Sequence, residues 1–87
     1  MIHIGNEILD VDINERGAEL NSIKSKKDDT EYLWQADPEV WGRHAPVLFP
    51  IVGKLKNNEY NLNGKNYKMT QHGFARDLIF KVVHKSD

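Results

Sequence analysis

The stretch MTQHGFARD, residues 69–77, gathers several side chains suited to holding a polar ligand. Gln71 and His72 can each donate and accept hydrogen bonds, and Arg76 offers a planar fork of donors. Phe74 places an aromatic face between them. Together these types fit a polyhydroxylated molecule, whose hydroxyls donate and accept and whose C–H surface packs on a ring. The guanidinium also fits a phosphate, which it can grip at two points. A plainer reading stands beside this one. His72 before Gly73 fits a turn, and Arg76 next to Asp77 fits a surface ion pair of about 0–1 kcal/mol.

A second polar cluster frames the segment WGRHAPVLFPIVGKLK, residues 41–56. Pro46 and Pro50 bracket and precede apolar residues there. Proline has no N–H for a sheet ladder, so it is confined to edges, strand starts and bulges. The segment therefore reads as an irregular, largely buried connection whose backbone polar groups need partners. Arg43 and His44 stand at its mouth, and Lys54 and Lys56 follow Gly53. His3, His44 and His84 show no metal-ligand spacing with one another or with acids, so no metal site is expected. No Ser/His/Asp order or phosphate-cradling glycine loop is present, and no cofactor is expected.

The elements that must position these residues read as β. Ile8–Ile13 alternates, with Leu9, Val11 and Ile13 on one face and the solvated Asp10 and Asp12 on the other. Asn14–Gly17 reads as a turn. Ala18–Lys24 is strand-like, but Leu20 and Ile23 break the alternation, which predicts a bulge or a change of face. Lys26–Asp29 reads as a solvated turn, Glu31–Trp34 as a short strand, and Asp37-Pro38 as the capped start of one helical turn. Asn63-Gly64 is the pair that a two-residue type I′ turn favours; it sets Leu62 against Lys65 and Tyr60 against Tyr67. Leu78–His84 reads as a last strand. Trp34 and Trp41 are expected in the core, as large aromatics of small domains usually are.

Composition sets the outer limits. Eighty-seven residues make one domain at most. A net charge of −1, with both signs scattered, gives no electrostatic case for nucleic acid or an anionic membrane. There is no cysteine, hence no disulfide to supplement a small core. No apolar run reaches the length of about 18 residues of a membrane span, and no h-region follows the N-terminus. The expectation is a soluble, cytoplasmic chain.

Taken in order, GRHAPVLFPIVGKLKNNEY, NGKNYKM and QHGFARD resemble the N-terminal part of the aldose 1-epimerase (galactose mutarotase) superfamily, in its LacX-type branch. The opening LDVDINERGAELNSIKSKKDDTEYLWQADPEVW is similar too, so the resemblance covers essentially the whole chain. It implies an all-β fold, part of an antiparallel β-sandwich (a supersandwich), with residues 1–87 as a single, incomplete domain. The family interconverts sugar anomers, using a histidine as general acid and a glutamate as general base. Both lie downstream of the motifs matched here, so the resemblance assigns no catalytic residue to this sequence.

What the resemblance does assign is binding. His72 matches a motif histidine that hydrogen-bonds the sugar. Arg43 and Arg76 resemble arginines of the branch that handles hexose 6-phosphates, and Gln71, Phe74 and Lys54 complete the candidate set. Free-sugar members carry arginines where this sequence has Lys54 and Lys56, and lysine cannot make arginine's planar two-point contact. The implied ligand is an aldose or a hexose phosphate, and the implied neighbours are a C-terminal portion of the fold or a second copy. The alternative is a small β module that binds a protein partner along an exposed strand edge, with no sugar chemistry.

Overall fold

Alternating apolar residues in the first quarter of the chain build three antiparallel strands: β1 (Ile2–Gly5), β2 (Leu9–Asn14) and β3 (Glu19–Ser25), in the order β1-β2-β3. The computed structural model describes residues 1–86. Ile2 pairs with Ile13 and Ile4 with Val11; Val11 in turn pairs with Ile23, and Ile13 with Leu20. These residues make one apolar face. His3, Asp10 and Asp12 occupy the other, with His3 Nδ1 2.7 Å from Asp12 Oδ1 and Nε2 3.3 Å from Asp10 Oδ1.

The irregularity expected in β3 is a β-bulge. Asp12 pairs with Ser22 but Ile13 pairs with Leu20, which leaves Asn21 without a partner. One inserted residue lets Leu20 and Ile23, three apart, share the apolar face. β1 was not foreseen. With only two apolar residues in four, its alternation becomes meaningful once β2 lies beside it.

The second sheet is the hairpin of β4 (Glu59–Leu62) and β5 (Lys65–Lys68). Its register is the expected one, Leu62 against Lys65 and Tyr60 against Tyr67. The two tyrosine rings stack with centroids 5.2 Å apart. Asn63 (φ 52°) and Gly64 (φ 79°) both adopt the left-handed conformation of the turn. A Cβ on Gly64 would meet nothing within 4 Å, so substitution there acts through conformation alone. We expect Gly64→Val to cost the hairpin about 1–2 kcal/mol. Amide exchange in β4 and β5 should accelerate while β1–β3 stay protected; unchanged exchange in the hairpin would refute the turn assignment.

Two expected strands do not form. Leu78–His84 makes only an isolated bridge, Arg16 to Ile79, whose two bonds run from Phe80 N–H to the Glu15 carbonyl and from Gly17 N–H to the Leu78 carbonyl. Beyond Phe80 it makes no ladder, because no neighbouring strand among the described residues reaches it. Glu31–Trp34 also reduces to one bridge, Lys24 to Glu31. There the Glu31 carboxylate accepts from Ser22 Oγ, from Ile23 N (2.8 Å) and from Leu33 N (3.0 Å), so a side chain replaces part of the ladder. The capped turn does form, with Asp37 Oδ1 accepting from Glu39 N at 3.0 Å.

The two tryptophans are not core. Trp34 is 41% exposed and Trp41 49% exposed, linked by a bond from the Trp34 indole to the Trp41 carbonyl. The proline-rich segment is irregular as expected, with a cis Phe49–Pro50 peptide, but it is half-buried to exposed and not largely buried. The reason lies in the shape. The chain extends 55 × 35 × 15 Å with a radius of gyration of 16.5 Å. A compact chain of this length would have a radius of about 12 Å. At one layer thick, the sheets have no second layer to bury their faces. The apolar face instead forms an open groove of about 530 Å³, with Ile2, Ile4, Val11 and Ile13 on one side and Phe80 and Val82 on the other.

Candidate functional site

Among the described residues, four are buried: Gly17, Glu19, Gly73 and Ala75. They sit at one junction, where the β2–β3 corner, the proline-rich segment and the HGFARD loop meet. The closest approach needs glycine. Gly17 (φ 74°) donates its N–H to the Leu78 carbonyl at 2.6 Å, and a Cβ there would collide with the Arg76 backbone. Gly73 (φ 75°) lies against Phe49, and a Cβ on it would also come within 2.8 Å of Pro50 Cδ. The Phe49 carbonyl accepts from both Phe74 N and Ala75 N at 3.1 Å.

His72 is clasped from the same side. Its N–H donates to the Gly53 carbonyl at 2.7 Å, and the Gly53 N–H donates to His72 Nδ1 at 2.9 Å. A backbone amide can only donate, so Nδ1 is the acceptor and the ring proton of the neutral imidazole sits on Nε2. The proline-rich segment thus fixes which edge of the ring is free to donate. His72 itself adopts φ 63°, held by these two bonds.

Arg43 meets the junction from within the protein. Its Nε and a terminal nitrogen donate to Glu19 Oε2 at 3.2 and 2.9 Å, and that nitrogen also reaches the Arg76 carbonyl at 3.1 Å. Its other terminal nitrogen lies 3.6 Å from Asp77. Asp77 pairs with Arg43 and with Arg16 at 3.5 Å, so the ion pair considered for Arg76 and Asp77 is formed with other arginines. Arg76 instead donates to the Gln71 carbonyl at 2.9 Å, while its Nε is buried with no acceptor among the described residues.

The remaining candidates are spread out. Phe74 is 47% exposed and lines an open cavity of about 420 Å³ with Asn57, Asn58 and Met69. Arg43 lines a different one of about 210 Å³, beside Glu19 and His44. Gln71 and Lys54 are exposed. The structure therefore joins Arg43, Arg76 and the Gln71 backbone in one bonded network, holds His72 separately through Gly53, and leaves Lys54 and the Gln71 side chain outside both. Among the described residues no cluster of His, Cys, Asp or Glu is arranged to hold a metal ion. No helix of the described residues is long and apolar enough to cross a membrane.

Sequence reasoning missed Glu19, which is 5% exposed. Its Oε1 accepts from His44 N (2.9 Å) and Ala45 N (3.0 Å), while Oε2 accepts the Arg43 fork. An acid within the strand-like run GAELNSI was the available signal. Burial pushes the Glu19 carboxyl up, but the Arg43 hydrogen bond, the two amides and the Arg43 charge outweigh it and hold it below the ordinary value of 4.5. Asp28, bonded by Thr30, and Glu31, bonded by Ser22 and two amides against its own desolvation, shift the same way. A carboxyl whose folded pKa is depressed contributes stability that is present above its unfolded pKa and lost as pH falls through the folded one. We therefore expect the fold to weaken progressively below about pH 4.5. Glu19→Gln should remove part of that slope in an acid titration followed by circular dichroism. An unchanged slope would mean that the Glu19 carboxyl is not held below its unfolded value in the folded chain.

Known proteins share this architecture. The family model described as Aldose 1-epimerase matches residues 1–87. The chain is 54% identical over 86 residues to Protein LacX, chromosomal, of Lactococcus lactis subsp. lactis, covering 93% of this chain and 28% of that protein. Among solved structures, a galactose mutarotase related enzyme from Lactobacillus acidophilus superposes with a TM-score of 0.94 at 54% identity, over 98% of this chain and 28% of that one. A galactose mutarotase-like protein from Lactobacillus casei ATCC 334 gives a TM-score of 0.96 at 52% identity, over 100% of this chain and 30% of that one. The chain thus spans less than a third of the length of these relatives and reproduces their fold over that part. With the whole sequence matched and the backbone shared, the chain belongs to the aldose 1-epimerase family.

Proposed function

We propose that this chain supplies part of the sugar-binding surface of a mutarotase-like fold, and that the ligand is an aldose or a hexose phosphate. The observation that carries the reading is the clasp on His72. With Nδ1 committed to the Gly53 amide, Nε2–H of the half-buried His72 is the ring donor left for a ligand. Exposed Phe74 supplies an apolar face close by in the chain, and the buried Nε of Arg76 is a donor still without an acceptor. An unsatisfied buried donor costs about 1–3 kcal/mol, which favours an arrangement that gives it a partner.

On this reading the family's catalytic histidine and glutamate lie outside these residues, and the chain's contribution is binding and orientation, with proton transfer left to groups outside it. We further propose that the apolar face of β1–β3 packs against the portion of the fold that the relatives have and this chain does not span. One observation favours a second reading. The outer edge of β1 is unpaired among the described residues, which would suit strand addition by a protein partner or a second copy.

The sugar reading is tested by titrating the isotope-labelled chain with galactose and with galactose 6-phosphate while watching the His72 ring nitrogens. The expected result is a saturable shift at Nε2 with Nδ1 still an acceptor, and none with glycerol. A ring that starts in the opposite tautomer, or responds to neither sugar, would defeat the proposal.

A further inference from the structure

The most heavily bonded side chain in the described residues is a carboxylate for which the sugar reading has no direct use. Glu19 lies on β3, in the sheet, yet each of its four hydrogen bonds goes to the segment Arg43–Ala45. Arg43 then carries the connection onward to the Arg76 carbonyl and to Asp77. With donors spent on Glu19 and Arg76 and the second terminal nitrogen facing Asp77, its guanidinium is turned inward. Its arrangement is that of a structural tie between two loops, not of an arm extended toward a ligand.

We propose that Glu19 is a positioning residue for the sugar site. Through Arg43 it ties β3 and the mouth of the proline-rich segment to the Arg76 end of the HGFARD loop. This rests on the sugar reading given above and extends it to a residue that touches no ligand. The geometry favours Glu19 for three reasons. The group is nearly fully buried, so water does not compete for its oxygens. One oxygen binds two successive backbone amides, which fixes the peptide at His44–Ala45, while the other binds the fork of Arg43, which fixes the side chain. The Arg43 contact ends on the carbonyl of Arg76, a residue of the candidate site itself. Charge-assisted bonds of this kind are about twice as strong as neutral ones, so the tie is stiff.

The consequence for binding is geometric. The HGFARD loop is held on one side by the Gly53 and Phe49 contacts and on the other by Arg43 and Gly17. Removing the Glu19 charge leaves the first side and the Gly17 backbone bond intact and loosens the Arg43 tie on the second. His72 keeps its tautomer, but Arg76 is no longer held at a fixed offset from it. A ligand that contacts both would then bind less tightly, although neither contact residue has changed.

The experiment uses the full chain, labelled for nuclear magnetic resonance, with galactose as the probe. In the unaltered chain the Arg43 Nε–H resonance should be resolved and slow to exchange. Glu19→Gln keeps an acceptor for the two amides and removes the charge. It should abolish the slow Arg43 signal, leave the β1–β3 amide pattern in place, and weaken galactose binding at His72 at least tenfold. If Glu19→Gln binds galactose as the unaltered chain does, the proposal is overturned while the sugar reading stands. If the unaltered chain shows no response to galactose, the sugar reading falls and this proposal falls with it. Should Glu19→Gln not fold, Arg43→Lys serves in its place: it keeps the carboxylate and its two amide bonds but cannot form the fork. It must show the same loss of binding, and unweakened binding by Arg43→Lys would overturn the proposal equally.

Discussion

Gly73→Ala should open the junction that holds the candidate site, and amide exchange at Phe74 and Ala75 should accelerate at least a hundredfold. Two costs add at this position. The backbone sits at φ 75°, where an L-residue with a Cβ is disfavoured by about 1–2 kcal/mol. The new Cβ would also collide with the Phe49 carbonyl and stand 2.8 Å from Pro50 Cδ. Overpacking of that kind costs about 1–3 kcal/mol. The sum, roughly 3 kcal/mol or more, corresponds to a hundredfold change in a local opening equilibrium. It falls on the Phe49 carbonyl, which accepts both the Phe74 and Ala75 amides. Gly42→Ala is the control, since a Cβ there would meet nothing within 4 Å and the backbone is not left-handed. If exchange at Phe74 and Ala75 is the same in both variants, the close approach of Gly73 to Phe49 does not exist in solution.

Local chemistry made much of the fold legible. Asn63-Gly64 demanded a left-handed turn, and the hairpin with its stacked tyrosines followed in the expected register. The break in alternation at Leu20 and Ile23 announced a bulge, and Asn21 is the inserted residue. The failures share a different cause. Leu78–His84 has strand composition, but a strand also needs a neighbour, and composition cannot say whether one is present. Trp34 and Trp41 were placed in the core by the habit of large aromatics, a habit that presumes a second layer. Glu19 was passed over because its importance comes from residues 24–26 positions away, and no local pattern encodes a contact of that separation. The candidate ligand types in QHGFAR were visible at once. That His72 accepts at Nδ1 and so keeps Nε2 as its donor was not, because it depends on the Gly53 amide.

The junction also explains how a one-layer chain can hold a defined local geometry. Its four buried residues are two glycines, an alanine and a glutamate, a composition that gains little from burial of apolar area. What fixes it is a set of hydrogen bonds made possible by close backbone approach at Gly17 and Gly73, with Glu19 and Arg43 satisfying each other and the amides around them. Such a network specifies geometry well but adds modest net stability, about 0.5–1.5 kcal/mol per bond between neutral groups. The apolar contribution that usually carries a domain is left on the open faces.

That imbalance leads to the second large effect. Supplying, as a separate polypeptide, the portion of a LacX-type relative that this chain does not span should convert a weakly cooperative melt into a sharp one. Ile2, Ile4, Val11, Ile13, Phe80 and Val82 line the open groove. Fully burying a side chain of this size is worth about 1.5–3 kcal/mol. These are already partly covered, so about 1 kcal/mol each, roughly 6 kcal/mol together, is the reasonable scale. A partner that binds only the folded chain stabilises it by mass action, so the melting temperature should rise with the concentration of the added portion. Thermal unfolding by far-UV circular dichroism, with size measured in parallel, reads both effects. The expected result is a one-to-one complex and a concentration-dependent melt. The opposite result would be a chain that melts sharply alone and ignores the added portion. If it does so as a monomer, the apolar face needs no cover. If it does so as a dimer, a second copy covers that face, as the unpaired edge of β1 would allow. Either form of that result would remove the proposed packing of β1–β3 against the rest of the family fold, while leaving the junction around Glu19 untouched, because none of its bonds crosses the open face.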